Sequence, residues 1–242
     1  MIPPVVISAA GRGTRMKELA KAMPKHLIEV GGRPFLTYLL DNLYAAGFEQ
    51  VYLVVGHQAA AAYQFVADYQ QKYPVRVVNQ FERLGEERYG TLMPLLAVEP
   101  ELKGQSVVAV NGDNFYSSQD LKGFLHSFKN SVVAGIEHAS PERYGVLVPR
   151  ADGSLERIME KPAEPPSRLV NTGLYGFSPL VWQVLPEVGV SPRGEYEITD
   201  AVSLLAGRER VDLYHLTDYW LDFGRPEDIA AVAAVVAGTG ST

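Results

Sequence analysis

Residues 8–25 read SAAGRGTRMKELAKAMPK; they follow the apolar run Val5-Val6-Ile7 and precede a short run at 27–30. The order is strand, glycine loop, basic loop. Gly11 and Gly13 carry no Cβ, so backbone N–H groups there can turn inward and approach a phosphate that side chains would otherwise keep away. Arg12, Arg15 and Lys25 bring three positive charges to the same region. Neither common phosphate-loop pattern fits, because no Gly-Lys-Ser/Thr follows and Met16 stands where a dinucleotide fingerprint has its third glycine. The stretch is a phosphate loop of another kind.

A chain of 242 residues suits one large α/β domain and buries roughly 70% of its unfolded surface. With no cysteine, disulfides, thiolate metal sites and a cysteine nucleophile are excluded, in keeping with a reducing compartment. The start, MIPPVVISAA, has no basic n-region and its apolar run is short, so neither signal peptide nor membrane segment is expected, and a cytoplasmic location is. A net charge of −6 argues against broad nucleic-acid binding, which needs a basic face. Polyphosphate binding must therefore be local. The five histidines show no close ligand spacing, and none sits in a hydrolase elbow.

Outward from the loop, β-branched runs alternate with amphipathic stretches, the pattern of βαβ units. Strands are expected at 5–9, 51–55 and 75–78. Pro34 opens a helix with Phe35, Leu36, Leu39, Leu40 and Leu43 on one face and Gly47 as its stop. Further helices are expected at 58–72 and, despite Pro94, at 91–98. The wholly apolar run 107–110 reads as a central strand covered on both faces, ending in Asn111-Gly112-Asp113-Asn114. Asp113 thus falls at a strand's carboxyl end, where open α/β sheets bind ligands, and lies beside the Gly11 loop if the two strands are neighbours. Leu121, Phe124, Leu125 and Phe128 mark another helix. From residue 132 the texture changes: strands at 132–136, 146–148, 155–159, 173–177 and 211–216, a proline-rich loop at 162–166, helices at 180–185, 198–205 and 229–236, and a flexible tail at 238–242. The predicted fold is a doubly wound, mostly parallel, Rossmann-like sheet with helices on both faces and a strand-rich second half.

On these residues the chain resembles the nucleoside-triphosphate:sugar-1-phosphate nucleotidyltransferases, or sugar-nucleotide pyrophosphorylases. Their signature is Gly-x-Gly-Thr-Arg-Met/Leu with Pro-Lys nine and ten residues after the arginine; Pro24 and Lys25 stand at that distance from Arg15. One departure is visible, Glu18 and Ala20 replacing the proline and threonine frequent between the two halves. The resemblance implies a single nucleotidyltransferase domain over 1–237, with a nucleotide-binding half at 1–130 and a sugar-binding half at 131–237. It implies one activity, since no acyltransferase repeat region follows. Partners would be a nucleoside triphosphate and a sugar 1-phosphate, with no nucleic acid or membrane, and homo-oligomers are common among such relatives.

Nucleotidyl transfer needs relief from repulsion between two polyanions more than it needs a base, so cations, backbone donors and a metal are the useful groups. Lys25 and Arg15 are the candidate catalytic cations, Lys25 as a compact charge for the α-phosphate and Arg15 as a planar fork for departing pyrophosphate. Mg²⁺ commonly takes one or two carboxylates plus phosphates and water. Asp113, in VNGDNFYSSQDL, resembles the family's Gly-Asp motif, and Asp222, in YWLDFGRPEDI, its Trp-x-Asp-x-Gly motif. Separately, each also reads as an ordinary turn or cap. The resemblance assigns the nucleotide to Ala9, Gly11, Gly13 and Thr14, and the base to Gln80, with Gly85 five residues on and Gly90-Thr91 ten on, so this loop is either longer than the family's or differently paired. Gln80 reads almost as well as a strand-end polar residue. For the sugar it carries over Gly145, Glu160, Lys161 and Asn171, competing with a surface ion pair and a capping asparagine. SPRGEYEITDA, residues 191–201, looks most like the glucose-1-phosphate thymidylyltransferase branch and its uridylyltransferase relatives, favouring dTTP or UTP. The alternatives are cytidylyl or guanylyl transfer to phosphocholine, heptose or mannose phosphate, and a catalytically silent sugar-nucleotide-binding regulator.

Overall fold

The computed structural model describes residues 2–11, 13–16, 18–69 and 72–239. Arg12 and residues 240–242 of the expected tail lie outside them. β1 (Val5–Ala9) enters the glycine loop, which continues through a 3₁₀ turn (Thr14–Met16), helix α1 (Leu19–Ala22), a second turn (Lys25–Leu27) and the small hairpin β2 (Glu29–Val30) and β3 (Arg33–Pro34). There follow α2 (Phe35–Ala46), β4 (Val51–Val55), α3 (Ala59–Tyr69), β5 (Val75–Asn79), α4 (Gln80–Leu84), α5 (Met93–Leu102), β6 (Val107–Asn111), β7 (Asn114–Tyr116) and α6 (Ser118–Ser127). The later half holds β8 (Val132–Glu137), β9 (Gly145–Pro149), β10 (Leu155–Glu160), β11 (Leu169–Phe177), α7 (Val181–Val184), α8 (Ile198–Ala206), β12 (Asp212–His215), β13 (Trp220–Asp222) and α9 (Asp228–Thr239).

Nine strands form one sheet in the order β10-β9-β11-β6-β1-β4-β5, with β8 on β11 and β12 on β8. The doubly wound half is parallel: β1 lies between β4 and β6, and Ser8 is in register with both Val54 and Asn111. The condition for bringing Asp113 beside the glycine loop is therefore met. Beyond β6 the pairing turns antiparallel through β11, whose C-terminal half pairs with β6 while its start meets β9 at Val170. β8 takes the opposite edge of β11, with the register shifting between Asn171 and Tyr175.

Apolar residues fill both faces of this sheet. A third, smaller cluster joins Met16, Phe35, Phe115, Phe223 and Val232. Phe35 stacks on Phe223 at 4.3 Å and meets Phe115 edge-on at 5.9 Å. That cluster fixes the β7–β13 ribbon, in which Asp222 pairs with Asn114, against the start of α2 and the glycine loop.

Several boundaries differ from the sequence reading for identifiable reasons. α5 begins at Met93, so Pro94 sits in its first turn, where a missing N–H costs nothing. The strand expected at 173–177 starts four residues earlier, at Leu169. The helix expected over 58–72 begins at Ala59, because Gln58 has φ +57°.

Candidate active site

The second 3₁₀ turn aims Lys25 across the loop. Leu27 N–H donates to Pro24 O at 2.9 Å and Ile28 N–H to Lys25 O at 3.2 Å, and the Lys25 ammonium forms an ion pair with the Asp113 carboxylate. Gly112 N–H donates to Ser8 O at 2.9 Å, which staples the Asp113 turn to the end of β1. Burial works to raise the Asp113 pKa, but Lys25, His26 and Arg15 hold it below the ordinary carboxylate value. Behind this pair His26 is buried, its Nδ1 unpartnered among the described residues. Burial and the Lys25 charge push its pKa down to about 3, against the pull of Asp113.

Asp222 arrives from the other strand of the ribbon, where Phe223 N–H donates to Asp113 O at 2.7 Å. Burial and the Asp113 charge push its pKa up to about 6, while Arg15 and Lys25 pull it down. Arg15 reaches the same place: a Cβ added to Gly224 would stand 3.2 Å from Asp222 Oδ1 and 3.4 Å from the Arg15 guanidinium carbon. Two partly buried carboxylates, Asp113 in the turn between β6 and β7 and Asp222 on β13, suit a hard divalent cation that draws its remaining oxygens from phosphate and water. No group of three His, Cys, Asp or Glu forms among the described residues, so the donor set fits Mg²⁺ better than a closed zinc site.

These residues border a polar cavity of about 230 Å³ whose walls include Arg15, Asp113, Asp222, Gly145, Glu160, Lys161 and Asn171. Gly145 faces Glu160 across the β9–β10 ladder, and a Cβ at 145 would lie 3.2 Å from Glu160 Oε2. The missing side chain leaves room for that carboxylate. Asn171 sits at the β11 irregularity, donating to the Tyr175 hydroxyl at 2.6 Å and accepting from Gly173 N–H at 3.1 Å. Arg193 stands 3.3 Å from both Glu160 Oε1 and Glu197 Oε1. Thr91 Oγ1 donates to Glu197 Oε2 at 3.1 Å and accepts from Ile198 N–H at 2.9 Å.

A smaller cavity of about 80 Å³ adjoins it, lined by Gly11, Gln80 and Gly90 among others, and Thr91 and Glu195 border both spaces. Gln80 opens α4 just beyond the end of β5, where Asn79 Oδ1 caps the helix by accepting from Phe81 N–H at 3.0 Å. Its Oε1 is buried without a hydrogen-bond partner among the described residues. Gly90 has φ +140°, and a Cβ there would lie 2.5 Å from Tyr196 N. Tyr196 N–H donates to Tyr89 O and Leu92 N–H to Tyr196 O, each at 3.0 Å. This glycine thus admits the backbone of residues 195–197.

A family model described as Nucleotidyl transferase matches residues 4–238. The chain belongs to the nucleotidyl transferase family. Among the relatives of this nucleotidyltransferase, UTP–glucose-1-phosphate uridylyltransferase AglF of Haloferax volcanii is 34% identical over 230 residues, 92% of each chain. The bifunctional protein GlmU of Methanocaldococcus jannaschii is 31% identical over 93% of this chain and 52% of its own. The present chain spans about half the length of that relative. A crystal structure of UDP-glucose pyrophosphorylase complexed with UDP-glucose shares the fold, with a TM-score of 0.86 at 22% identity over 99% of this chain and 100% of its own.

Within the nucleotidyltransferase, the structure gathers most of the sequence candidates and leaves others aside. Gly85 closes α4, its N–H donating to Phe81 O at 3.0 Å, and lines neither cavity. Ala9, Gly13 and Lys25 belong to the β1 end and the loop beside the cavities, outside their walls, and Thr14 opens the 3₁₀ turn of that loop. Sequence reasoning missed Thr91, Arg143, Tyr175, Arg193, Glu195 and Glu197 as wall residues. For the last three the signal lies in the charges of SPRGEYEITDA, Arg193, Glu195 and Glu197.

Proposed function

We propose that this nucleotidyltransferase moves a nucleotidyl group from a nucleoside triphosphate, UTP or dTTP, to a hexose 1-phosphate, releasing pyrophosphate. The observation that carries the reading is the cluster of Lys25, Arg15, Asp113 and Asp222 beside a cavity walled by hydroxyl-reading groups, which adjoins a smaller one where the buried Gln80 amide oxygen has no hydrogen-bond partner among the described residues. Uracil and thymine both offer a ring N–H to the Gln80 Oε1 acceptor. Glu160 and Asn171 present acceptors and donors to sugar hydroxyls. The similarity to a protein named as a UTP–glucose-1-phosphate uridylyltransferase favours UTP and glucose 1-phosphate within that class.

A phosphate oxygen of the acceptor attacks the α-phosphorus in line and pyrophosphate leaves, so no protein base is required. Lys25 offsets charge on the α-phosphate and Arg15 on the leaving group. Asp113 and Asp222 are the residues that would hold Mg²⁺, which when bound supplies the remaining charge neutralisation between the two polyanions. We read the chain as one catalytic domain over 1–237. The exchange of Thr91 and Glu195 between the two cavities supports treating its halves as one working unit. Among the described residues no helix is long and apolar enough to cross a membrane, and the use of nucleoside triphosphates favours the cytoplasm.

The test is pyrophosphate release with Mg²⁺, crossing the common nucleoside triphosphates with sugar 1-phosphates and phosphocholine. Lys25→Ala and Asp113→Asn are each expected to lower turnover by about two orders of magnitude or more with the fold intact. Release with phosphocholine alone, or near-normal rates in either variant, would defeat the proposal.

A further inference from the structure

We infer that Arg143 joins Lys161 in a two-cation clamp for a substrate phosphate, at the seam between the polar cavity and a larger cavity beside it. The inference rests on the nucleotidyl-transfer reading above. The neighbouring cavity, about 720 Å³, shares Arg15, Arg143, Tyr144, Lys161, Trp220 and Asp222 with the polar cavity. Arg143 and Lys161 therefore line both spaces, as Asp222 does.

The backbone holds the two cations as a pair. Arg143 ends the 3₁₀ turn Pro141–Arg143, with its N–H donating to Ser140 O at 3.3 Å and Tyr144 N–H donating to Pro141 O at 3.0 Å. Lys161 N–H donates to Tyr144 O at 3.1 Å, tying the end of β10 to the residue after Arg143. The Tyr144 ring is locked edge-on between His138, at 4.8 Å, and Trp220, at 5.4 Å. Lys161 adopts φ +44°, a backbone region that residues with a side chain enter only when the surroundings demand it. Strain of that kind collects at ligand clamps.

Charge completes the case. Arg33, Arg83, Arg193, Arg208 and Arg210 are each tied to a carboxylate, and Arg150 donates to the backbone carbonyls of Leu155 and Ala206. Among the described residues the Arg143 side chain makes neither a hydrogen bond nor an ion pair. Among the described residues Lys161 forms one ion pair, with Glu160 at 3.7 Å. A planar fork with every donor open, beside a lysine bearing a single distant counter-charge, matches the oxygens of a phosphate dianion. Two phosphates pass this seam in the proposed reaction: that of the sugar 1-phosphate, and the triphosphate tail that departs as pyrophosphate.

The experiment measures KM and kcat for Arg143→Ala and Arg143→Lys with the active nucleotide–sugar pair in the forward direction, and with pyrophosphate and sugar nucleotide in reverse. Arg157→Ala, which removes an exposed arginine paired with Glu156, controls for overall charge. Arg143→Ala is expected to raise one KM about tenfold or more at an unchanged thermal midpoint, with Arg143→Lys recovering part of the loss. A rise confined to the sugar 1-phosphate assigns the clamp to the acceptor; a rise for the triphosphate and for pyrophosphate assigns it to the tail. Both KM values staying within twofold of wild type, or an equal loss in Arg157→Ala, overturns the clamp. Wild-type protein that transfers to no acceptor overturns the functional reading itself, a result separable from failure of the clamp.

Discussion

Asp222 is held where its own charge is disfavoured. Its folded-state pKa of about 6 exceeds the ordinary 3.8, so between these values the folded chain binds more protons than the unfolded one. The stabilisation from protonation is fully present below pH 4 and is lost as pH rises through 6, at a cost of about 3 kcal/mol. Asp222→Asn removes the charge and keeps the shape. Urea unfolding at pH 7.5 is expected to show that variant about 2–3 kcal/mol more stable while its turnover falls by orders of magnitude. Equal or lower stability would show that the wild-type charge is already compensated. His26 has the opposite sign: a base depressed to about 3 from 6.5 contributes stability fully present above pH 6.5 and lost as pH falls below it. Between pH 7 and 5 that loss amounts to about 2 kcal/mol. In His26→Leu, the drop in stability over this interval should be smaller than in wild type by a similar amount, measured by denaturant titration at both pH values.

At the scale of elements, the docking of residues 195–197 on the turn at 89–92 decides whether the two cavities share a wall. Gly90→Ala places a methyl against the Tyr196 backbone, which cannot swing aside as a side chain would. A loss of roughly 2–4 kcal/mol is expected, together with higher KM values for both substrates because Thr91 borders both cavities. Thermal unfolding and steady-state kinetics check the two parts. Elements with a strong period were legible in the sequence: β1 has the bounds expected of it, α2 stops at Gly47, and β6 delivers Asp113 at its carboxyl end. The β7–β13 ribbon was not, because each strand has three residues and Asn114 and Asp222 give it no alternating pattern. Asn171 and Thr172 hid the first half of β11 in the same way, since polar residues flanking a glycine read as a turn. The cations and aspartates of the site stood out locally. Thr91 and Glu197, 106 positions apart, acquire meaning only through tertiary contact.

For the whole molecule, the decisive feature is that β11 carries the sheet from its parallel half into its antiparallel one. With β6 and β9 along one edge and β8 along the other, neither half can lose its pairing without exposing the other. Unfolding is therefore expected in a single transition. Tryptophan fluorescence of Trp220→Phe protein, which reports Trp182 in the later half, should share its urea midpoint with far-ultraviolet circular dichroism; separated midpoints would indicate halves that melt independently. The central position of β1 has a further consequence, in time. Its partner β4 follows about 45 residues later in the chain and β6 about 100. At about 5–20 residues per second, the ribosome delivers the second partner roughly 5–20 s after the first strand has been made. Throughout that interval one edge of Val5–Ala9 lies open on the nascent chain, an apolar template for wrong pairing. The strand that seats the glycine loop is thus also the one most in need of chaperone cover during synthesis.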